Sequence, residues 1–222
     1  DFVCKSRQWD SLIIKIKGRS KYMKRKAYSA AAVKTSFWFM EFRKVVGLLS
    51  EGNSLDEIKK INQNDNIFAA PTTLRSEQIF NTVSARIRML DESFVKVFKE
   101  SDVTTQKLFA LVAVFAYDIL FFDFAYEVIR EKMIIGSNTF TDSDIRIFFK
   151  DKQLQDEKVA KWTDATLKRL GGCYKTMLYE AGFTDKGKTE RLIIKPILDP
   201  IMEQWLKSHD MEPYIRTLTG VR

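Results

Sequence analysis

The chain has 222 residues, 45% of them hydrophobic, and a formal net charge of +8. This length and apolar content allow a substantial buried core, which excludes an intrinsically disordered protein. Its only two cysteines, Cys4 and Cys173, lie far apart in the sequence. They exclude a disulfide framework and indicate no thiolate metal site, so a reducing, cytoplasmic location fits best.

The positive charge is concentrated near the N-terminus. Residues 1–44 contain 12 Lys and Arg against 3 Asp and Glu, a net charge of +9, whereas residues 45–222 contain 25 against 26, a net charge of −1. Seven basic side chains lie within residues 15–26: Lys15, Lys17, Arg19, Lys21, Lys24, Arg25 and Lys26. We call residues 1–27 the basic arm. It predicts a polyanionic partner, because each phosphate that it neutralises releases condensed counterions.

Besides nucleic-acid binding, the charge of the basic arm has two other possible explanations. An anionic membrane surface is the second polyanion that it could bind, and a merely solvated tail is the third possibility. The short apolar run at residues 12–14 is too short for a signal peptide, so we expect no export signal. Met23 lies within the arm, so residues 1–22 could also be an alternative-start extension.

Helical periodicity extends over almost the whole chain and predicts an all-α, multi-helix bundle. Apolar side chains at 38, 42, 45 and 49 indicate a first helix from about residue 29 to residue 52. Ser54 and Glu57 form a capping box that begins a short helix over about 55–62. A polar loop at 62–66 follows, and Pro71 precedes a helix that runs to about residue 90.

The middle of the chain contains its most apolar stretch, residues 108–122, which is interrupted only by Asp118. Fifteen helical residues span about 22 Å, short of the roughly 30 Å hydrocarbon core. We therefore predict a buried core helix over about 104–134, after a helix near 91–100, and no membrane insertion. A short helix restarts at Thr141. Helical spacing from 167 to 181 continues through Gly171 and Gly172, which predicts a close helix approach.

The C-terminal part of the chain changes character after residue 182. A turn signal at Asp185 and Gly187, followed by branched apolar residues up to 195, predicts a small C-terminal β-hairpin resembling the wing of a winged helix. A final helix is predicted over about 197–209. We divide the chain into the basic arm at 1–27, an N-terminal helical domain at 28–136 and a C-terminal helical region with the hairpin at 137–222.

The sequence lacks the usual groups of catalytic chemistry. It contains one histidine, His209, and no nucleophile–base pair or phosphate-binding glycine loop is recognisable. Asp185 and Glu190 have the acid spacing of restriction-type nucleases, but Leu192 occupies the position of the lysine that follows the second acid. We therefore predict no enzyme activity, no cofactor and no metal site.

A second group of acids, Asp118, Asp123 and Glu127, could in principle serve a metal-dependent nuclease. On one helix, however, position 118 lies about 140° from position 123, so the three side chains do not share a face. Ion pairs with Arg130 or with a neighbouring helix explain these acids better.

Two further segments are candidates for nucleic-acid contact. The helix at 55–62, a loop and the helix from residue 72 follow the order of a helix-turn-helix, although with a longer turn. At the start and along the flank of the second helix we nominate Thr72, Thr73, Arg75, Gln78 and Arg86. On the hairpin we nominate Lys186, Lys188 and Arg191. The alternatives are solubilising side chains in the first case and a hairpin that only covers a core edge in the second.

Four stretches of the sequence carry a family resemblance: YSAAAVKTSFWFMEFRKVVGLLSEG (28–52), PTTLRSEQIFNTVSARIRML (71–90), LKRLGGCYKTMLYEAGF (167–183) and RLIIKPILDPIMEQWLKSHD (191–210). Their order, spacing and pattern resemble the BrxA family, the small core component of bacterial BREX (bacteriophage exclusion) defence systems. The resemblance covers most of the chain from Tyr28 onward and includes no catalytic motif. The basic arm lies outside it.

This resemblance implies a mostly α-helical, cytoplasmic protein similar to the NusB type of helical RNA-binding fold. It also implies double-stranded DNA binding without catalysis, in support of phage restriction and host-DNA methylation by other BREX proteins. No residue set of the family can be carried over position by position. The resulting prediction is a phosphate-directed DNA-binding protein of low sequence specificity, with RNA as a further possible ligand. The alternative is a protein–protein adaptor of the defence complex.

Overall fold

The computed structural model describes residues 27–221, which form an assembly of α-helices with one small sheet. A 3-10 turn at Ala31–Lys34 comes first. The helices are α1 (Phe39–Ser50), α2 (Leu55–Asp65), α3 (Thr73–Ile87), α4 (Phe94–Glu100), α5 (Val103–Tyr117), α6 (Ile119–Phe124), α7 (Arg130–Ile134), α8 (Asp142–Gln155), α9 (Glu157–Ala160), α10 (Asp164–Glu180), α11 (Pro200–Ser208) and α12 (Glu212–Thr219). Strands β1 (Thr139–Thr141) and β2 (Glu190–Leu192) pair antiparallel. The predicted all-α fold with a small β element is confirmed.

Helix α1 begins about ten residues later than the sequence periodicity predicts. Trp38, the residue before it, has a φ of 53° and lies in the left-handed region. A residue in that conformation cannot continue a right-handed helix. The turn buries the rings of both Phe37 and Trp38. From Phe42 onward the predicted spacing holds, and Phe42 and Val45 face the core.

Two helix starts that were predicted from capping residues are confirmed. The backbone N–H of Ser54 donates to the Glu57 carboxylate at 2.7 Å, while the Ser54 hydroxyl accepts from the backbone N–H of Glu57. Thr141 and Asp144 form the same reciprocal pair at the start of α8. Both motifs satisfy helix-end donors within four residues, so they depend little on the rest of the fold.

The prediction of one helix over 104–134 is wrong, because the apolar stretch at 108–122 is divided between two helices. Asp118 separates them, and its carboxylate caps α6 by accepting a hydrogen bond from the backbone N–H of Phe121 at 3.1 Å. Helix α5 and the helical segment Ile119–Ile134, which includes a π-helical turn at Ala125–Ile129, are bent by 111° relative to each other. No single helix within residues 27–221 is long and apolar enough to cross a membrane, although this bent pair satisfies the same test. The α5 side chains from 108 to 116 lie in the protein core.

The C-terminal hairpin is smaller than predicted and is joined by a distant strand. A single antiparallel bridge links Thr184 to Ile193, and the backbone N–H of Ile194 donates to the Phe183 carbonyl at 3.0 Å. On its other side β2 pairs with β1, so that Phe140 lies opposite Arg191. The β2 chain therefore lies in the middle, between β1 and the segment at residue 184.

Aromatic side chains build the core as two groups. The first group comes from α1, α4, α5 and α11 and contains Phe42, Phe94, Phe98, Phe109 and Trp205. The second group comes from α6, β1, α8 and α10 and contains Phe121, Phe124, Phe140, Phe148 and Tyr174. In the second group Phe121 stacks on Tyr174, with ring centroids 4.3 Å apart. This group holds α8 and α10 against α6.

Two adjacent glycines of α10 have opposite surroundings. A β-carbon at Gly171 would lie 2.7 Å from Cγ2 of Ile145 on α8, whereas one at Gly172 would meet nothing within 4 Å. We expect Gly171→Ala to lower the free energy of unfolding by about 1–3 kcal/mol through overpacking. We expect Gly172→Ala to raise it by about 0.5–1 kcal/mol through helix propensity. Chemical denaturation measures both variants, and two shifts of the same sign would contradict this account of the helix crossing.

Candidate nucleic-acid interface

The basic arm joins the folded body beside a buried carboxylate. The seven basic residues nominated in the arm lie outside the described residues: Lys15, Lys17, Arg19, Lys21, Lys24, Arg25 and Lys26. Just after them, the hydroxyl of Tyr28 donates a hydrogen bond to Oδ2 of Asp123 at 2.5 Å. This contact holds Tyr28, which follows the arm in the sequence, against α6.

The acids considered above as nuclease ligands have structural roles. Lys152 of α8 is only 3% exposed, and its Nζ lies 2.6 Å from Oε1 of Glu127 and 3.7 Å from Oδ2 of Asp123. Asp118 caps α6, and burial raises the pKa of its carboxyl to about 6. The predicted ion pairs with a neighbouring helix are thus confirmed for Asp123 and Glu127. Within residues 27–221, no group of three or more His, Cys, Asp or Glu side chains could hold a metal ion.

The start of α3 presents polar side chains beside free backbone N–H groups. The Thr72 hydroxyl caps the helix by accepting from the backbone N–H of Arg75 at 3.2 Å, and Thr73 is exposed. The Arg75 guanidinium donates to Oε1 of Gln78 at 2.7 Å and lies 5.0 Å from the centroid of the Trp38 ring. These contacts hold the Arg75 guanidinium at the N-terminus of α3. The backbone N–H groups at a helix N-terminus also favour binding of an anion such as phosphate.

Arg86, nominated for nucleic-acid contact, instead points into the protein, which corrects the sequence-based nomination. It is 2% exposed, and its Nη1 donates to the carbonyls of Ser36 and Phe37 at 2.9 and 2.8 Å. Burial lowers the pKa of its guanidinium to about 10, which still leaves it protonated at neutral pH. The left-handed turn at Trp38 presents these carbonyls to α3. Arg86 therefore fastens α3 to the segment before α1 and is not available to a ligand.

Helices α2 and α3 pack together in the order predicted for a helix-turn-helix. Their contact includes a buried hydrogen bond from the Ser76 hydroxyl to Oδ1 of Asn62 at 2.8 Å. Asn66, with a φ of 44°, ends α2, and its side-chain amide pairs with both backbone groups of Ala70. The connection from residue 66 to Thr72 is therefore an ordered loop, longer than the tight turn of most helix-turn-helix motifs.

The three basic residues nominated on the hairpin divide into two kinds. Lys186 and Lys188 are exposed. Arg191 is half-buried, and its Nη1 donates to the carbonyls of Lys175 and Asp185 at 3.0 and 3.2 Å. Arg191 therefore braces the hairpin against α10, whereas the two lysines remain available for phosphate.

Lys168 and Arg169, which were not nominated from the sequence, are both exposed on α10. The spacing of the apolar residues in α10 could have identified them as exposed. The apolar positions 167, 170, 174, 177, 178 and 181 define the buried side of the helix, so positions 168 and 169 belong to the other side.

Three comparisons connect the chain to known proteins. The family model named BrxA matches residues 26–210. The BREX protein BrxA of Bacillus cereus (strain H3081.97) is 33% identical over 198 residues, which cover 89% of this chain and 99% of the relative. A crystal structure of an uncharacterized protein from Magnetospirillum magneticum has a TM-score of 0.73 at 18% identity and covers 88% of this chain and 100% of that one. This last similarity concerns the fold alone.

Proposed function

The chain belongs to the BrxA family, and we propose that it is a non-enzymatic, double-stranded-DNA-binding component of a bacterial BREX anti-phage system, acting in the cytoplasm. The family and the name of the Bacillus cereus relative support the defence role. The observation that supports DNA binding is the net charge of +9 in residues 1–44, next to a body with a net charge of −1. A charge distribution of this kind is typical of proteins that bind phosphate backbones.

Binding of this kind is directed to phosphate more than to base edges. Flexible cations need only charge and reach to neutralise phosphates, and such contacts carry no direct sequence information. Candidates on the folded body supply further polar contacts. Thr72 and Thr73 at α3 and Lys186 and Lys188 on the hairpin are exposed, and Arg75 and Gln78 at α3 are partly buried.

The test is a fluorescence-anisotropy titration of the purified chain with two 30-base-pair DNA duplexes of unrelated sequence and with an RNA duplex of equal length. We expect the two DNA affinities to agree within about threefold, because contacts to phosphate are insensitive to base sequence. We expect the RNA duplex to bind more weakly, because its A-form helix has a deep, narrow major groove and a different arrangement of phosphates. An absence of binding at low salt would overturn the DNA-binding proposal. A preference of about a thousandfold for one DNA sequence would overturn its phosphate-directed form.

A second function, that of an adaptor between BREX proteins, is favoured by one specific surface. Four apolar side chains from the end of β2 to the start of α11 are 46–97% exposed: Leu192, Ile194, Ile197 and Ile201. Exposed apolar side chains that form one patch often mark contacts with other proteins. If this role is the main one, neutralising the basic arm should leave complex assembly unchanged, whereas Ile197→Asp should disrupt it.

A further inference from the structure

The elements from Ile119–Ile134 to Ile193 follow the order of a winged helix. A long helix is followed by β1, α8, the short α9, α10 and the hairpin. The β2 chain lies between β1 and Thr184, so the three short extended segments form one antiparallel set with the last segment in the middle. A winged helix is a helix-turn-helix with a hairpin after its second helix, and that second helix enters the DNA groove. Helix α10 occupies this second position.

The packing holds α10 in a fixed orientation over the other two helices. Its Tyr174 ring stacks on Phe121 at 4.3 Å and also lies 5.9 Å from Phe124 of the same long helix. Its Gly171 allows the close crossing with Ile145 of α8. One side of α10 is therefore buried along most of its length, and the opposite side must face outward.

The outward side of α10 is a polar and basic face with little bulk at its centre. It consists of exposed Ala165, Lys168, Arg169, Thr176 and Tyr179, with Gly172 between them. At 100° per residue these six positions fall within about 100° of each other, on the side opposite to the buried residues. A β-carbon at Gly172 would meet nothing within 4 Å, so another molecule can approach the helix backbone there. The acids Asp164 and Glu180 lie at the two ends of α10, which leaves its centre without negative charge.

The hairpin lies alongside this face. Nζ of Lys186 is 5.9 Å from the centroid of the Tyr179 ring, which places the hairpin loop next to the C-terminal part of α10. Oδ1 of Asp185 accepts from the backbone N–H groups of Gly187 and Leu192 at 3.1 and 2.9 Å and so closes the loop. Lys186 and the exposed Lys188 thus extend the positive charge of Lys168 and Arg169.

We propose that the outward face of α10 docks in the major groove of B-form DNA, with Lys186 and Lys188 on the flanking phosphates. This inference rests on the proposed function and assigns a site to it. The B-DNA major groove is about 12 Å wide and admits an α-helix, whereas the major groove of A-form RNA is too narrow for side chains to read. The small residues Ala165 and Gly172 let the helix backbone approach the groove floor. Thr176 and Tyr179 provide hydroxyl groups for base edges or phosphates.

The experiment compares two double variants in anisotropy titrations with duplex DNA. In the first, Gly172→Glu and Thr176→Glu place two negative charges one turn apart at the centre of the α10 face. The matched control, Gln204→Glu with Ser208→Glu, adds the same charges with the same spacing on exposed positions of α11. Thermal unfolding monitored by circular dichroism shows whether each variant remains folded.

We expect the α10 variant to lose at least about 30-fold in DNA affinity and the α11 control to lose less than about threefold. If the folded α10 variant binds as tightly as the control, the α10 site is overturned while the proposed DNA binding stands. If the unmodified chain does not bind duplex DNA, both proposals are overturned. If the α10 variant does not fold, Lys168→Gln with Arg169→Gln replaces it, and a loss below about threefold for that pair overturns the site.

Discussion

Replacing the seven basic residues of the arm with glutamine is expected to weaken binding to duplex DNA by about 100-fold or more near 100 mM salt. The residues are Lys15, Lys17, Arg19, Lys21, Lys24, Arg25 and Lys26. Each lysine or arginine that contacts a phosphate contributes about −0.9 to the slope of log affinity against log salt. We therefore expect the slope to become shallower by about 6 if every side chain contacts one phosphate. Anisotropy titrations at four salt concentrations measure both quantities.

The control for the arm variant removes the same charge from the folded body. Seven exposed basic residues outside the arm, α3 and α10 are replaced with glutamine: Lys59, Lys60, Lys96, Lys99, Lys195, Lys207 and Arg216. We expect this variant to lose less than about fivefold, because local contacts and not net charge drive counterion release. Equal losses in the two variants would contradict a specific role for the arm.

Lys152→Met is expected to lower the free energy of unfolding by about 3–5 kcal/mol, since it removes the cation from a buried ion pair. Nζ of Lys152 lies within 3.7 Å of Asp123 and 2.6 Å of Glu127, and the Lys152 and Asp123 side chains are 4% and 7% exposed. Without the lysine, the Asp123 carboxylate remains buried without its compensating cation. Because Asp123 also accepts a hydrogen bond from the Tyr28 hydroxyl, this cluster also holds Tyr28, the residue that follows the arm.

Lys150→Met provides the comparison, because Lys150 is exposed and lies only two residues earlier on the same helix. We expect its effect on the free energy of unfolding to remain within about 0.5 kcal/mol. Urea denaturation of both variants distinguishes the buried cluster from a general effect of lysine loss. Similar midpoints for the two variants would show that the ion pair contributes little net stability.

Features that depend on residues close in sequence were predictable. The capping box at Ser54 and the helix start at Thr141 need only four consecutive residues, and the structure contains both. The helical spacing through Gly171 and Gly172 correctly indicated a continuous helix with a close neighbour. The burial of α5 followed from its length and from the carboxylates that interrupt the apolar stretch. These features could be predicted because they depend on helical periodicity and on capping residues within a few positions of each other.

Features that depend on distant contacts were not predictable. The sequence gives no sign that Trp38 adopts a left-handed conformation, and this turn delays α1 and draws Arg86 inward to the carbonyls of Ser36 and Phe37. Pairing of β1 with β2 joins segments about fifty residues apart and was missed for the same reason. Helix α12 was also missed, and its Pro213 occupies the first turn, where a proline is tolerated.

In the candidate site, too, the features that depend on nearby residues were predictable and those that depend on distant contacts were not. Composition alone placed the basic arm, and helical spacing placed Thr72, Thr73, Arg75 and Gln78 at one helix start. Composition and helical spacing could not show that α10 and the hairpin lie on one face of the protein. Their arrangement depends on the pairing of β2 with β1, which is distant in sequence.

The measurement that tests the central claim most directly is the affinity of the intact chain for duplex DNA as a function of salt concentration. We predict tight binding at 50 mM salt that falls about 10³-fold or more by 200 mM, as expected for six or more phosphate contacts. The same titration with a chain that begins at Met23 shows how much of the slope comes from residues 1–22. Affinity that does not change with salt, or no binding at 50 mM, would contradict the account and leave the adaptor role as the better explanation.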